Sequence, residues 1–256
     1  MTQSQAATAD RRFPKKRLQI RNAHRLDSDM VSCELAAMSL DVKICGLKTE
    51  EALAAALAGG ASHVGFIFFP KSPRYVEPER AGELRRLAKG CAKTVAVTVD
   101  AADAFLERIV SAMAPDMLQL HGSESAERAG EIKARYGLPV IKALAVSAAG
   151  DLGKIKPFEG VADRFLFDAK PPAGSELPGG NGVSFDWRIL SGLDASVDYM
   201  LSGGLNADNI GEALRLSNPP GIDVSSGVES APGVKDAALI EKFFRAVRAA
   251  QEKSAA

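Results

Sequence analysis

From residue 41 onward, short runs of apolar residues alternate with longer stretches in which apolar residues recur every three or four positions. A short apolar run bounded by turn residues predicts a buried β-strand, whereas a spacing of three to four predicts an amphipathic α-helix. The pattern predicts eight strands: Val42–Cys45, His63–Phe69, Thr94–Val99, Met117–Leu120, Pro139–Ala143, Arg164–Phe167, Tyr199–Ser202 and Gly221–Val224. It predicts six helices, with weaker helical patterns after the fifth and sixth strands: Glu50–Leu57, Glu79–Lys89, Ala102–Met113, Ala126–Tyr136, Ala207–Leu216 and Asp236–Ala250.

The alternation of strands and helices indicates an α/β protein whose parallel strands are joined by crossover helices. Near-continuous apolar strands such as GFIFF suit a sheet that helices cover on its outer face. Eight evenly spaced units within about 215 residues predict a single closed (β/α)8 barrel, the TIM barrel, with an open doubly wound sheet as the alternative. In such barrels the active site lies at the carboxyl ends of the strands, and phosphate often binds after strands seven and eight.

The overall composition narrows the classes of function. The 256 residues carry no net formal charge, which argues against nucleic acid as the main partner. No apolar run approaches the roughly 18 residues of a membrane helix, so we expect no membrane partner. The three cysteines, Cys33, Cys45 and Cys91, have no metal-like spacing and suggest a reducing, cytoplasmic compartment and no metal site. Whether the chain is a monomer or a homodimer stays open.

The first 37 residues differ from the rest in composition. They contain seven Lys and Arg residues against four acidic residues, and they lack the hydrophobic segment of a secretory signal. We interpret residues 1–37 as a solvated arm or as a start assigned ahead of Met38, with a targeting peptide and a binding arm for acidic partners as alternatives. The barrel is accordingly predicted over residues 38–256, and the N-terminal extension is not part of its core.

Two glycine-containing turns lie where a barrel binds phosphate. LSGGLN follows the seventh strand and contains Gly203 and Gly204, and DVSSGVE at the end of the eighth contains Ser225, Ser226 and Gly227. Paired glycines let the backbone approach an anion, while hydroxyl groups and a helix N-terminus add hydrogen-bond donors. Either turn alone would be ordinary, but the two together predict a phosphate site.

A cysteine and an aspartate end two other strands. Cys45 ends the first strand in VKICG, and Asp168 ends the sixth in FLFDA. Alone, a cysteine there is often an inert apolar residue and an aspartate a helix cap or turn former. As a pair, one can act as a general base when ionised and the other as a general acid when protonated. This division suits proton transfer beside a phosphosugar carbonyl or imine.

Three further side chains are candidates for substrate contacts. Arg74, in the loop FFPKSPRYVEP after the second strand, has a planar fork that suits a carboxylate, although a solvated loop arginine is the alternative. Gln119 and His121 lie two residues apart in LQLHG, so both can face one side of the fourth strand. For His121 a core or capping position is an equal alternative to a substrate contact.

Charged residues are also predicted inside the barrel. Lys43 shares strand parity with Cys45, and Asp223 shares it with Ser225, so both charged side chains are expected to point inward. The first and eighth strands become neighbours only when the barrel closes. We therefore predict an ion pair between Lys43 and Asp223.

Seven motifs occur in one order across residues 42–229: VKICGLKT, FFPKSPRYV, LQLHG, FLFDAK, GGNGVSFDW, LSGGLN and GIDVSSGVE. Together they closely resemble the phosphoribosylanthranilate isomerases of tryptophan biosynthesis. The resemblance implies a barrel that catalyses an Amadori rearrangement of a phosphosugar without a cofactor. It implies that Asp168 is the acid that opens the furanose ring and that Cys45 is the base that removes the C2′ proton. It also implies that Arg74 holds the anthranilate carboxylate.

Two positions depart from the pattern of this family. Asn181, in GGNG, stands where the family usually has threonine, and it keeps a polar side chain. Asp100 follows the third strand where asparagine is common. Its carboxylate is unfavourable near an anionic substrate unless it points away or caps the next helix.

Two other functions compete with this interpretation. The related sugar isomerase of histidine biosynthesis performs the same rearrangement on a larger substrate, and a dual-specificity enzyme would perform both. That chemistry is associated with two strand-end aspartates rather than with cysteine and aspartate. The third possibility is a non-catalytic barrel that binds a phosphosugar.

Overall fold

The protein is seen here as a computed structural model that describes residues 40–172, 174–175, 177–180 and 182–255. Eight strands form the central sheet: β1 Asp41–Cys45, β2 His63–Phe68, β3 Lys93–Thr98, β4 Met117–Leu120, β5 Val140–Val146, β6 Arg164–Ala169, β7 Tyr199–Leu201 and β8 Gly221–Val224. All are parallel and follow the order of the chain, and β1 pairs with β8 to close the barrel. The predicted TIM barrel is confirmed, and the open sheet is wrong. The predicted arm lies outside the described residues.

Six α-helices lie outside the sheet in this part of the chain: α1 Glu50–Gly59, α2 Pro78–Ala88, α3 Asp103–Met113, α4 Ala126–Tyr136, α5 Ile210–Ser217 and α6 Ala237–Ala255. Their ends follow local chemistry. The hydroxyl oxygen of Thr49 accepts the N–H of Ala52 at the start of α1, and Gly60 ends that helix in the left-handed conformation. Ser125 and Gly137 do the same for α4. None of the described helices is long and apolar enough to cross a membrane.

The connections after β5 and β6 contain 3-10 helices, Ala149–Phe158 and Trp187–Gly192, where the sequence carries only weak helical patterns. The first of them contains Gly150, Gly153 and Pro157. Glycine and proline both disfavour an α-helix, glycine through its backbone entropy and proline through its missing N–H. These two connections therefore contain 3-10 helices in place of the α-helices found elsewhere around the barrel.

A short antiparallel hairpin separates β8 from α6. It consists of β9, Glu229–Ala231, and β10, Val234–Lys235. The helix predicted over Asp236–Ala250 begins at Ala237, after this hairpin, and β8 leads directly into the 3-10 turn Ser226–Val228. A 3-10 turn of three residues has only a small dipole. Hydrogen-bond donors at this position must therefore be individual backbone N–H and hydroxyl groups.

Alternate residues of each strand face opposite sides of the barrel wall. Along β1, Val42 and Ile44 pack in the large apolar cluster beneath the helices, whereas Cys45 belongs to a smaller cluster inside the barrel. Lys43 is fully buried, and its Nζ lies 2.8 Å from Oδ1 of Asp223. The predicted ion pair is confirmed, and it joins the first and last strands where the barrel closes.

Candidate active site

A cavity opens at the carboxyl ends of the strands, the position at which (β/α)8 barrels place their active sites. Two of the ten residues selected from the sequence do not line this cavity. Gln119 is fully buried, and Gly227 packs against the backbone of Leu205. The eight selected residues that do line it are Cys45, Arg74, His121, Asp168, Gly203, Gly204, Ser225 and Ser226.

Cys45 reaches the cavity from the end of β1, with 5 % of its surface exposed. Burial raises the pKa of its thiol because the thiolate loses its hydration. The ammonium groups of Lys43 and Lys235 favour the thiolate, whereas the carboxylate of Asp223 disfavours it. In the free protein burial prevails, so ionisation of Cys45 needs more positive charge than Lys43 and Lys235 supply.

Asp168 reaches the same cavity from β6 and contacts His121. Its Oδ1 accepts the N–H of Ala169 at 2.9 Å, and its Oδ2 lies 3.4 Å from His121 Nε2. On the far side of the ring, His121 Nδ1 lies 2.9 Å from Nε2 of Gln119. With the amide assigned this way, Gln119 donates to Nδ1, and the hydrogen of a neutral ring sits on Nε2 and faces Asp168.

The orientation of the Gln119 amide has a physical reason. Its Oε1 is buried without a hydrogen-bond partner among the described residues. The reversed amide would instead bury an NH2 group, with two donors unpaired rather than one acceptor. Leaving a buried donor unmade is costly, so the assigned orientation is favoured. The Nε2 edge of His121 thereby faces the Asp168 carboxylate, with 3.4 Å between Nε2 and Oδ2.

Arg74 is tightly bound within the protein. Its Nε and Nη2 donate to the two carboxylate oxygens of Glu229 at 2.8 and 2.9 Å, and Nη2 also donates to the carbonyl oxygen of Gly180 at 3.2 Å. Lys235 Nζ lies 2.5 Å from the same carboxylate. The edge of the guanidinium expected to clasp a substrate is thus taken by Glu229, and Nη1 is the nitrogen left to reach an anion in the cavity.

Glu229 and Lys235 were not selected from the sequence. Burial opposes ionisation of Glu229, but hydrogen bonds from Arg74 and the charge of Lys235 hold the pKa of its carboxyl below the usual value. Burial lowers the pKa of the Lys235 ammonium against the opposing effect of Glu229. One feature of the sequence could have pointed to these two residues as candidates. Glu229 is the last residue of the motif GIDVSSGVE, and Lys235 follows six residues later, after a Pro-Gly turn.

The turns after β7 and β8 bring unpaired backbone donors to the cavity. Gly203 and Gly204 have φ values of +89° and +65°, a region that glycine adopts without strain. Their N–H groups and that of Ser226 donate to no acceptor among the described residues. Such groups, together with the Ser226 hydroxyl, form the kind of concave donor set that binds phosphate.

The segment after β6 covers the cavity with two glycines. A side-chain carbon at Gly179 would lie 2.6 Å from His121 Nε2, and one at Gly180 would lie 2.6 Å from Arg74 Nη1. Glycine is required at both positions because any larger residue would displace a functional side chain. Asn181, the departure from the family pattern, lies outside the described residues.

Asp100, the other departure, is directed away from the phosphate turns. Its Oδ1 accepts the N–H of Ser123 at 2.7 Å, in the turn before α4. Its own N–H donates to Glu124, which also pairs with the buried Lys142 at 2.7 Å. The carboxylate thus binds a backbone donor in the turn before α4 and does not cap α3, the next helix along the chain.

The closed barrel and the cavity at the carboxyl ends of its strands are those of a (β/α)8-barrel enzyme. A family model described as N-(5'phosphoribosyl)anthranilate (PRA) isomerase matches residues 42–246. An N-(5'-phosphoribosyl)anthranilate isomerase of Mesorhizobium japonicum is 78% identical over 219 residues, which cover 86% of this chain and all of the relative. The chain belongs to the N-(5'-phosphoribosyl)anthranilate isomerase family and is an isomerase of tryptophan biosynthesis.

Solved structures agree with this assignment. The phosphoribosyl anthranilate isomerase of Thermotoga maritima is 34% identical with a TM-score of 0.73, covering 82% of this chain and 99% of that one. A second isomerase structure contains reduced 1-(o-carboxyphenylamino)-1-deoxyribulose 5-phosphate; it is 31% identical with a TM-score of 0.71, again with 82% and 99% coverage. The fold similarity therefore extends over the described barrel.

Proposed function

We propose that this protein converts N-(5-phosphoribosyl)anthranilate to 1-(2-carboxyphenylamino)-1-deoxyribulose 5-phosphate by an Amadori rearrangement, with Asp168 as acid and Cys45 as base. The observation that carries this proposal is the shared cavity, in which a strand-end thiol and a strand-end carboxyl line the same space. A reaction that protonates an oxygen and removes a proton from carbon needs these two groups on one substrate.

The two ends of the substrate have separate partners in the proposal. The phosphate binds the unpaired N–H groups of Gly203, Gly204 and Ser226, which donate to no other group among the described residues. The anthranilate carboxylate binds Nη1 of Arg74. Because Glu229 holds the other edge of that guanidinium at 2.8 and 2.9 Å, Nη1 has a fixed position before the substrate arrives. Such preorganisation reduces the entropy lost on binding.

In the first step, Asp168 donates its proton to the furanose ring oxygen. The bond between C1′ and that oxygen breaks, its electron pair stays on the oxygen, and the anthranilate nitrogen forms an iminium with C1′. Asp168 becomes a carboxylate, and the N–H of His121, 3.4 Å from Oδ2, stabilises the charge that appears. His121 therefore acts through Asp168 in this scheme.

In the second step, the Cys45 thiolate removes the C2′ proton. The electron pair of that C–H bond forms a C1′–C2′ double bond, and the iminium becomes a neutral enolamine. The enolamine gives the ketone by gaining a proton at C1′ and losing one from the C2′ hydroxyl. Burial raises the pKa of Cys45 in the free protein, so the positive iminium beside it is the charge that favours the thiolate when it is needed.

Turnover by the purified protein tests the proposal directly. The protein is given N-(5-phosphoribosyl)anthranilate, and the deoxyribulose product is measured by chromatography, with the phosphosugar substrate of the histidine-pathway isomerase as a parallel reaction. We expect turnover of the first substrate, and complementation of a bacterium that lacks the isomerase on medium without tryptophan. Turnover of the histidine-pathway substrate alone, or binding without turnover, would overturn the proposal.

A further inference from the structure

We propose that the β9–β10 hairpin carries a positioning pair for the base: Lys235 favours the Cys45 thiolate, and Glu229 opposes this effect while it orients Arg74. The inference rests on the proposed function in so far as it takes Cys45 to be the base. In the mechanism described so far the hairpin acts only through Glu229, which holds the guanidinium of Arg74. Its two charged side chains are nevertheless almost completely buried, with 4 % and 2 % of the Glu229 and Lys235 side chains exposed.

Hydrogen bonds connect Lys235 to the end of β1. Its Nζ donates to the carbonyl oxygen of Ser225 at 3.0 Å and contacts the Ser225 hydroxyl at 3.2 Å. That hydroxyl donates in turn to the carbonyl oxygen of Cys45 at 3.1 Å. Hydrogen bonds thus link Lys235 to Cys45 through one intervening residue, Ser225. The ammonium group of Lys235 is among the charges that act on the thiol.

The charges around Cys45 are unequal in number. Lys43 on β1, which also hydrogen-bonds the Cys45 thiol, is paired with Asp223 on β8 at 2.8 Å, so this pair adds one positive and one negative charge. On the other side Arg74 and Lys235 share the single carboxylate of Glu229. The excess of one positive charge therefore belongs to the group that includes the hairpin. A buried excess charge is costly alone, and the Cys45 thiolate is an anion that compensates it.

Glu229 is the shared counter-charge of Arg74 and Lys235. Its carboxylate accepts from both Nε and Nη2 of Arg74, and it also binds Lys235. Removing its charge would leave two unpaired cations, which would favour the thiolate further but release the guanidinium. Removing the charge of Lys235 would leave Arg74 and Glu229 balanced, and the thiolate would lose its compensation. Removing the charge of Glu229 and removing that of Lys235 should therefore shift the pKa of the Cys45 thiol in opposite directions.

Alkylation of Cys45 measures this effect without any substrate. In a Cys33→Ala, Cys91→Ala background, Cys45 is the one remaining thiol of the sequence. The rate of its reaction with iodoacetamide is followed across the pH range around 8.5 in which a free thiol ionises, because only the thiolate reacts. The plateau at high pH reports access to the thiol, and the midpoint reports its ionisation.

We expect Lys235→Met to slow alkylation at neutral pH by about tenfold, the effect of one pKa unit, with an unchanged plateau. Glu229→Gln should accelerate it, and Lys235→Arg, which keeps the charge, should stay close to the parent protein. Kinetics should separate the two roles: Lys235→Met lowers kcat, while Glu229→Gln raises KM because Arg74 loses its anchor.

Shifts of the midpoint in the same direction, or changes in the plateau alone, would overturn the inference, since loosening of the hairpin would produce either. If Lys235→Met does not fold, Glu229→Gln decides the matter by its sign: acceleration supports the inference and no change defeats it. The outcome is independent of the proposed reaction, because alkylation requires no turnover. Failure of the proposed function would appear in the turnover assay instead.

Discussion

Replacing Asp223 by asparagine would leave the ammonium group of Lys43 inside the barrel without its counter-charge. Lys43 is fully buried, its Nζ lies 2.8 Å from Asp223 Oδ1, and the other carboxylate oxygen accepts from the Ser202 hydroxyl at 3.4 Å. Asparagine has nearly the same volume, so the packing is kept and the charge alone is lost. Breaking a buried ion pair in this way typically costs about 3–5 kcal/mol.

This cost is large compared with the free energy of unfolding of a typical domain, about 5–15 kcal/mol. For a domain of this size, each kcal/mol shifts the melting temperature by about 2–4 °C, so Asp223→Asn should lower Tm by about 6–20 °C. The measurement is thermal and urea unfolding of the purified variant at neutral pH, followed by circular dichroism. The same loss should appear in both denaturation methods if unfolding is two-state.

The double variant Lys43→Met, Asp223→Asn is the control. It removes both charges, so it should recover part of the stability that the single variant loses, because no uncompensated charge remains. A single variant that loses less than about 1 kcal/mol would refute the reasoning, since that is the usual worth of an exposed pair. A double variant that loses the sum of the two single losses would refute it as well.

Four further changes test separate parts of the site. Arg74→Ala should raise KM markedly with a smaller effect on kcat in steady-state kinetics; an unchanged KM would mean that the substrate carboxylate binds elsewhere. Ser226→Ala should weaken protection of the protein by inorganic phosphate about tenfold in thermal shift titrations, the value of one charge-assisted hydrogen bond, and undiminished protection would remove Ser226 from the phosphate site. Gly179→Ala should lower kcat because the added carbon would lie 2.6 Å from His121 Nε2, whereas Gly150→Ala, with open space around it, should not; equal effects would contradict the steric argument. A chain that begins at Met38 should keep its activity and Tm, and loss of most activity would show that residues 1–37 belong to the enzyme.

Most of the barrel could be predicted from the sequence because its strands are continuous apolar runs. Observed and predicted bounds are the same for Met117–Leu120 and Gly221–Val224. The ion pair between Lys43 and Asp223 followed from strand parity and closure alone. The strands and the ion pair both follow from patterns that extend over several strands, so many residues support the same prediction.

The hairpin β9–β10 could not be predicted in this way. Its strands contain three and two residues, too few to establish an alternating pattern, and Ala231 and Val234 are exposed. Charged residues in such a loop usually indicate solvent exposure, so Glu229 and Lys235 gave no sign of burial. Their role depends on a tertiary contact with Arg74, which comes from a loop 155 residues earlier in the chain.

The site itself was predicted as a set of residues rather than as a network. Cys45 and Asp168 were selected as strand-end residues, and both line the cavity. The sequence could not indicate that Gln119 lies behind His121 as its hydrogen-bond partner, because strand parity gives the side of the wall and not the depth. Nor could it indicate that Glu229 already occupies one edge of Arg74, since that depends on loop conformation.

Steady-state kinetics of Cys45→Ala and Asp168→Asn test the central claim most directly. Each variant is first shown to be folded by its circular dichroism spectrum and Tm, and kcat and KM for N-(5-phosphoribosyl)anthranilate are then measured. We expect each substitution to lower kcat by about 10²–10⁴ or more, the usual contribution of a positioned acid or base, with far smaller changes in KM. A folded Cys45→Ala or Asp168→Asn variant that turns over at nearly the rate of the parent protein would contradict the assignment of that residue.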